Sequence, residues 1–411
     1  MNAKKAFILF LLLNILNYLD RNVTSGVLPL LQKDFAVNDA MIGLLGTAFM
    51  ITYAVAAIPL GIWSDRWKPH KVAAIGTAVW SLATIGSALA WSFSSLYLFR
   101  SLVGLGEAAF VTTGASILSG LFPEGKRAKV LGLFNLGLPI GSALGVTLGG
   151  ALGSQLGWPA AFTIVGLPGL VLAYFTWKLP SGSMTENSQA ITEKKLVLRR
   201  KDMLSLFRNA PFLLASLGYA GISFAFGAIA YFGPTLFHRA FGYSVGASGT
   251  LSGAMVVVAG LLGAPLGGII ADYWLKKNPR GRIYTVSIAM LLCAVFLALG
   301  MQLLSLPLLF LSVFFLMWHV GIASAIIFDV SPKSIWNTSQ ATALFIMHLL
   351  GDVFSTYIVG EISDHSGLVF AIQTLSIPVL LASVFFFLMI WFVPVRVYKR
   401  ETVGQTGEIP S

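Results

Sequence analysis

Twelve stretches of this sequence are each long and apolar enough to cross a lipid bilayer, which leaves few folds open. A crossing needs about 20 mostly apolar residues. On that ruler the spans lie near 6–31, 41–63, 72–91, 95–121, 128–153, 159–178, 210–234, 247–274, 283–303, 306–328, 338–361 and 369–394. Lipid offers no hydrogen bonds, so runs of this length satisfy their backbone as helices. Only 10% of the 411 residues are charged, against roughly 25% in soluble domains. An all-α membrane protein of twelve transmembrane helices is therefore expected. The apolar start after Lys4 and Lys5 has the look of a signal peptide. It continues into Asn17-Tyr18-Leu19-Asp20-Arg21 without a small-residue cleavage site, so it reads as a retained span.

The basic residues give an orientation. Of 27 Lys and Arg, 23 fall in one alternating set of gaps: Lys4/Lys5, Arg66/Lys68/Lys71, Lys126/Arg127/Lys129, the stretch Lys178 to Arg208, Lys276/Lys277/Arg280/Arg282, Lys333 and Arg396/Lys399/Arg400. Lys33 and Arg239 fall in the other set, and Arg21 and Arg100 lie inside spans. The positive-inside rule then places both termini in the cytoplasm, and a bacterial inner membrane is the expected location. The net charge of +11 thus reflects topology, and no nucleic-acid partner is expected. The single cysteine, Cys293, excludes an intrachain disulfide.

Residues 179–209 form the one long polar segment. It reads as a cytoplasmic linker between a six-helix bundle at 1–178 and another at 210–394, with a cytoplasmic tail at 395–411. The two parts repeat. Gly61-Ile62-Trp63-Ser64-Asp65 before a basic gap is matched by Gly268-Ile269-Ile270-Ala271-Asp272. Gly157-Trp158-Pro159-Ala160-Ala161-Phe162 is matched by Gly367-Leu368-Val369-Phe370-Ala371. A parallel six-plus-six repeat joined by a cytoplasmic linker resembles the major facilitator superfamily along the whole chain. The resemblance implies two bundles related by a pseudo-two-fold axis, cargo held between them near the midplane, and rocking that alternates access.

The segment Gly61-x-x-x-Asp65-Arg66-x-x-x-x-Lys71 resembles the superfamily's signature loop and is expected to be a conformational latch, with Asp272 as its second copy. Gly61 would permit close helix approach. Asp65 can sit against the positive N-terminal end of a neighbouring helix, and Arg66 and Lys71 can pair with acids or anionic lipid heads. Asn337 and Thr338, cap-type residues opening span eleven, mark that neighbour. The other reading is that these charges only set topology. Gly137, Gly141, Gly145 and Gly149 in span five, with Gly263 and Gly267 in span eight, read as close-packing stripes.

Asp20 and Arg21 lie in the middle of span one. A charge near a bilayer centre costs roughly 2.5–3.5 kcal/mol on insertion scales, so it persists where it faces protein or a wet cavity and has a partner. The expected partners are Arg100 and Glu107 of span four. Asn14, Asn17, Asp20, Arg21, Thr24 and Ser25 share a polar sector of about 140°. Counting about 1.5 Å per residue puts Asp20 roughly 21 Å from one face and Glu107 roughly 18 Å from the other, compatible with contact. Arg21 is then within reach of Glu107, with Arg100 nearer the outer mouth. On this reading Arg21, flanked by Asn17 and Arg100, binds an anionic group, and Asp20 and Glu107 exchange a proton that competes with it. A permanent ion-pair network that only locks helices is the alternative. His348 and Asp352, four apart in span eleven, form a proton relay or a satisfied structural pair.

Three segments narrow the resemblance. They are Leu16-Asn17-Tyr18-Leu19-Asp20-Arg21 followed by Gly26-Val27-Leu28-Pro29; Arg100-Ser101-Leu102-Val103-Gly104-Leu105-Gly106-Glu107-Ala108; and His348-Leu349-Leu350-Gly351-Asp352 followed by Tyr357-Ile358-Val359-Gly360-Glu361-Ile362-Ser363-Asp364. Together they resemble the Spinster family, whose members move lysophospholipids and sphingosine-1-phosphate. Organic-anion:cation symporters carry runs like the first two, and the third tips the choice. The chain departs at Ser355-Thr356, where the family pattern has Ser-Pro. The resemblance implies that Arg21 meets a lipid headgroup and that Asp20 and Glu107 couple protons. An amphiphilic lipid also needs room for its tail, and Tyr219, Phe224, Phe226, Tyr231 and Phe232 of span seven could line it or simply pack against membrane lipids.

The implied activity is proton-coupled secondary transport of a lysolipid by a monomer, not an enzymatic reaction. Two rivals stand. A symporter of small organic anions such as sugar acids would need several cationic donors at midplane, where only Arg21 and Arg100 are found. A non-transporting lipid receptor usually carries a soluble output domain, and here the linker and tails are short. With no P-loop, nucleophile elbow or metal-ligand cluster in the sequence, no cofactor or metal is expected, and ATP is not the direct driver.

Overall fold

A computed structural model describes residues 3–179, 206–332 and 335–392, except for the side chains of Asp65, residues 124–129 and Asn337. The linker expected at 179–209 lies outside the described residues but for its ends, and the tail at 395–411 lies wholly outside them. The described chain is helical throughout and contains twelve helices fit to span a membrane. They are Ala3–Phe35, Asp39–Ser64, Pro69–Ala88, Phe93–Leu121, Val130–Leu156, Trp158–Trp177, Ala210–Phe241, Val245–Lys277, Gly281–Gln302, Leu306–Asp329, Thr338–Ser366 and Leu368–Trp391, numbered here as spans one to twelve. The protein is an integral, multi-pass, all-α membrane protein. Side chains such as Val55, Ile58, Leu261 and Ile269 are over 60% exposed, a surface that only lipid would solvate well.

Local chemistry sets the helix ends. Asn38 caps span two by accepting from the Met41 N–H at 2.9 Å, and Ser92 opens span four in a capping box with Ser95. Gly157, at φ 84°, turns the chain between spans five and six in a conformation that other residues resist. Two spans are interrupted. Span ten breaks after Met317–His319 at Gly321, with φ 82°. Span eleven breaks at Gly351 (φ −96°, ψ −102°), between Trp336–Leu350 and Asp352–Ser366. The face expected to carry His348 and Asp352 together is therefore not one continuous helix face: each residue belongs to a separate segment.

The chain packs as two compact units. The first holds spans one to six together with Gly227–Val258 and Asp352–Ile372, and the second holds the rest of the described chain. In the first unit the span-five glycines orient span one. A Cβ at Gly141, Gly145 or Gly149 would strike the carbonyl oxygens of Ile15, Leu19 and Val23 respectively, and one at Gly26 would lie 2.5 Å from Val146 O. With the Ile15–Leu19–Val23 edge clamped there, helical periodicity turns Asn17, Asp20 and Arg21 toward the opposite side, where spans three and four lie. In the second unit a Cβ at Gly263 or Gly267 of span eight would lie 2.5 Å from Phe314 O or 2.9 Å from Trp318 Cα respectively.

Candidate functional site: two ion pairs inside the first unit

Span one supplies Asp20 and Arg21, and each finds its own partner on span four. Arg21 donates through Nε and Nη2 to Glu107 Oε2 at 3.1 and 2.8 Å. Arg100 Nη1 lies 3.4 Å from Asp20 Oδ1, and its Nη2 is the same distance from the Asp20 carbonyl oxygen. Asp20 has a closer partner in span three. Thr84 Oγ1 donates to Oδ1 and Oδ2 at 2.7 and 2.6 Å. Asp20 and Glu107 are 0% exposed and Arg100 is 2% exposed. Of these four charged groups, the Arg21 side chain alone reaches an open surface, at 24% exposure.

Rings surround that guanidinium. Its carbon lies 5.3 Å from the centre of Tyr18, 4.8 Å from Phe49 and 5.0 Å from Tyr53. A cation over aromatic faces gains about 0.5–2 kcal/mol per contact, more when shielded from water. Span two contributes Phe49 and Tyr53 one turn apart, which stack on each other at 6.0 Å. The arrangement holds Arg21 in place while leaving part of it free to meet an anion. Arg100 is instead held by Asp20, with the Phe162 ring 5.5 Å away.

The remaining expected site residues lie elsewhere. Asn17 is fully buried beside the two pairs. Tyr231 is half-buried and donates to Ile42 O at 2.8 Å, within the first unit. Tyr219 and Phe224 are half-buried in the second unit, where the Tyr219 ring lies 5.8 Å from that of His319. His348 belongs to the second unit and Asp352 to the first. Gly61 is not the point of close approach that was expected, since a Cβ there would meet only Thr112 Cβ at 4.0 Å. Of the latch charges, Arg66 is exposed, the Asp65 side chain is outside the described residues, and Lys71 Nζ sits 3.8 Å from the centre of the Trp177 ring. Asp272 pairs with Arg282 at 3.5 Å, and Arg282 also binds Asp329 at 2.9 Å.

Sequence reading passed over Thr84, Phe49 and Tyr53. The signal for Thr84 was present: Thr77, Ser81 and Thr84 make a buried polar stripe at helical spacing in span three. It also passed over a cluster around Asp39 at the start of span two. Arg239 reaches both Asp39 oxygens at 2.8 and 3.0 Å and Gln32 Oε1 at 2.6 Å. Ser363 donates to Asp39 at 2.5 Å, and Asp364 accepts from the Asp39 and Ala40 N–H groups at 2.8 and 2.9 Å. The Asp364 carboxylate thus closes the N-terminus of span two, where the helix dipole favours an anion.

Comparison with known proteins places this architecture. The profile of the Major Facilitator Superfamily matches residues 10–335. Human Protein spinster homolog 1 is 30% identical over 376 residues, covering 86% of this chain and 71% of the relative. The chain belongs to the Spinster family of the major facilitator superfamily. Protein spinster of Drosophila melanogaster is also 30% identical, over 365 residues, and the chain spans 60% of that protein's length. A bacterial homolog to the human lysosomal transporter Spinster, in an inward-facing and occupied conformation, superposes with a TM-score of 0.82 at 20% identity, covering 95% of this chain and 97% of that one. A D-xylose-proton symporter superposes at 0.74 with 18% identity, covering 95% and 97% of the two chains. Spinster and the wider superfamily are transporters, not enzymes.

Proposed function

We propose that the chain is a proton-coupled secondary transporter of a single-chain amphiphilic lipid, of the lysophospholipid or sphingosine-1-phosphate type, working by alternating access. The observation that carries this reading is the Arg21–Glu107 pair: a partly exposed guanidinium bound to a fully buried carboxylate. An anionic headgroup at Arg21 competes with Glu107 for the same cation. Protonation of Glu107 releases Arg21 to the headgroup, and departure of the proton draws Arg21 back and expels the headgroup. Asp20 is the second carboxylate of this coupling. Likeness in fold to a D-xylose-proton symporter supports proton coupling as something this architecture accommodates.

A small-acid symporter is less well supported, because Arg100 is engaged by Asp20 and 2% exposed, leaving Arg21 as the accessible cation of the two. Tyr219, Phe224 and Tyr231 complete the proposed set of substrate-contacting residues, and Asp352 and His348 the set of proton-handling groups. The six-plus-six division, cytoplasmic termini, an inner-membrane location, the latch roles of Asp65, Arg66, Lys71 and Asp272, and action as a monomer complete the proposal. It is tested in proteoliposomes with fluorescent lysophospholipid under an imposed pH gradient. Glu107→Gln should abolish gradient-driven flux while the protein still folds, and Arg21→Ala should weaken headgroup binding at least about tenfold, the loss expected for a charge-assisted contact. Full gradient-driven transport by the Gln variant would refute the coupling, and higher flux of sugar acids than of lysolipids would shift the substrate class.

A further inference from the structure

Two buried polar groups beside the ion pairs have no protein partner. Neither amide atom of Asn17 is hydrogen-bonded, although the residue is 0% exposed. Glu107 Oε1 is also unpaired, because Arg21 makes both of its bonds to Oε2. Buried polar atoms are nearly always paired, with protein or with water, so these atoms call for a partner.

Helix register brings them to one place. At about 100° per residue, Asn17 points between Asp20, about 60° to one side, and Arg21, about 40° to the other, one turn nearer the N-terminus. Arg21 is directed at Glu107 and Asp20 at Thr84 and Arg100, so Asn17 faces the space between the two ion pairs. Helical side chains lean toward their own N-terminus. That lean brings the Asp20 carboxylate toward the level of Asn17.

We propose that Asn17 and Glu107 Oε1 hold a water molecule that connects Glu107 to Asp20, making the two ion pairs one proton-sharing unit. Asn17 is a positioning residue: its amide donates to and accepts from the water and itself carries no proton. Three polar partners of this kind suit a buried water. In the transfer, neutral Glu107 gives its Oε1 proton to the water oxygen while the water passes one of its own protons to the Asp20 carboxylate. The water is regenerated, Glu107 becomes the carboxylate that binds Arg21, and Asp20 becomes a neutral acid beside Arg100 and Thr84. The titratable and charged groups facing Glu107 are Tyr18, Asp20 and Arg21 from span one, Tyr53 from span two and Arg100 from its own span. From span three, Trp80 packs on Gly106, next to Glu107 in the chain, and Thr84 binds Asp20, and neither titrates. The inference rests on Glu107 as a proton site.

The test is infrared difference spectroscopy of the purified full chain between two pH values, in ordinary and 18O-labelled water, joined to transport assays. The expected result is a carboxylic C=O band lost in Glu107→Gln, accompanied by a water O–H band that shifts with 18O. Asn17→Leu should remove the water band, slow gradient-driven flux about tenfold, the rate equivalent of one hydrogen bond, and move the pH midpoint of transport. Asn17→Ser should restore part of the flux and of the pH midpoint. A Glu107 band without a water band, in wild-type protein, overturns the relay and leaves the transport reading standing. Absence of any titrating Glu107 band overturns both. Asn17→Leu with unchanged flux and midpoint also overturns the relay.

Discussion

At the scale of single residues, the site is governed by how its buried charges are divided. Two pairs, not one four-membered cluster, neutralise the centre of the first unit, and they differ in quality. Arg21–Glu107 closes at 2.8 Å, whereas Arg100–Asp20 stretches to 3.4 Å and leaves Thr84 as the shorter contact to Asp20. Removing one member of a buried pair strands the other and costs about 3–5 kcal/mol, while removing both often costs much less. Asp20→Asn should therefore lower the thermal midpoint strongly, and Asp20→Asn with Arg100→Gln should recover much of the loss in a double-mutant cycle. Additive effects in that cycle would show that the 3.4 Å pair contributes nothing beyond proximity. Thr84→Val keeps shape and deletes the hydroxyl bond to the carboxylate, at a cost of about 1.5–3 kcal/mol for a hydrogen bond to a charged group. A melting temperature unchanged by this substitution would show that the Thr84 hydroxyl adds nothing net to holding Asp20.

At the scale of elements, the glycine stripe of span five fixes which face of span one looks inward. The carbonyl oxygens of Ile15, Leu19 and Val23 occupy the places that methyl groups at Gly141, Gly145 and Gly149 would need. Gly145→Ala should destabilise by about 1–3 kcal/mol through overpacking, and Gly145→Leu by more. The thermal midpoint in detergent checks this, with Gly132→Ala as a control, because nothing lies within 4 Å of a Cβ there. The spans themselves were legible because the bilayer imposes a length and a composition on every one. The stripe was legible because four-residue spacing is periodic within one helix. The breaks at Gly321 and Gly351 were not, since glycine is common in these helices and a single backbone rotation leaves no periodic trace. Likewise the Arg21–Glu107 contact could be placed by depth counting, but the rings of Phe49 and Tyr53 could not. Aromatic side chains facing lipid and facing a cation look identical in sequence.

At the scale of the whole chain, the first unit gathers the ends of spans seven and eleven around the start of span two. Arg239, 200 residues from Asp39, looked like a topology charge, because an ion pair between the ends of two helices has no sequence period to reveal it. It anchors a bonded set that includes Gln32, Ser363 and Asp364, backed by Tyr231 on Ile42 O and Thr356 on Gly43 O at 2.8 Å. Under the alternating access proposed above, such a set would come apart at one stage of the cycle, and its strength would bias which state is populated. The Arg239–Asp39 pair has a partly exposed cation and a buried acid, so deleting Arg239 leaves Asp39 with Ser363 and Gln32 alone. Arg239→Ala should therefore loosen this end of the first unit without unfolding it. The reporter is a cysteine at Thr47, which is 6% exposed and lies 3.2 Å from Thr356 Oγ1, beneath the set, in a Cys293→Ser background. The Thr47→Cys thiol should react slowly with a polar maleimide in the parent protein. Adding Arg239→Ala should speed labelling about tenfold, since loss of a charge-assisted contact of about 1.4 kcal/mol shifts an open–closed ratio by that factor. Equal labelling rates in the two proteins would show that the Asp39 cluster holds helices together without setting the balance between closed and open states.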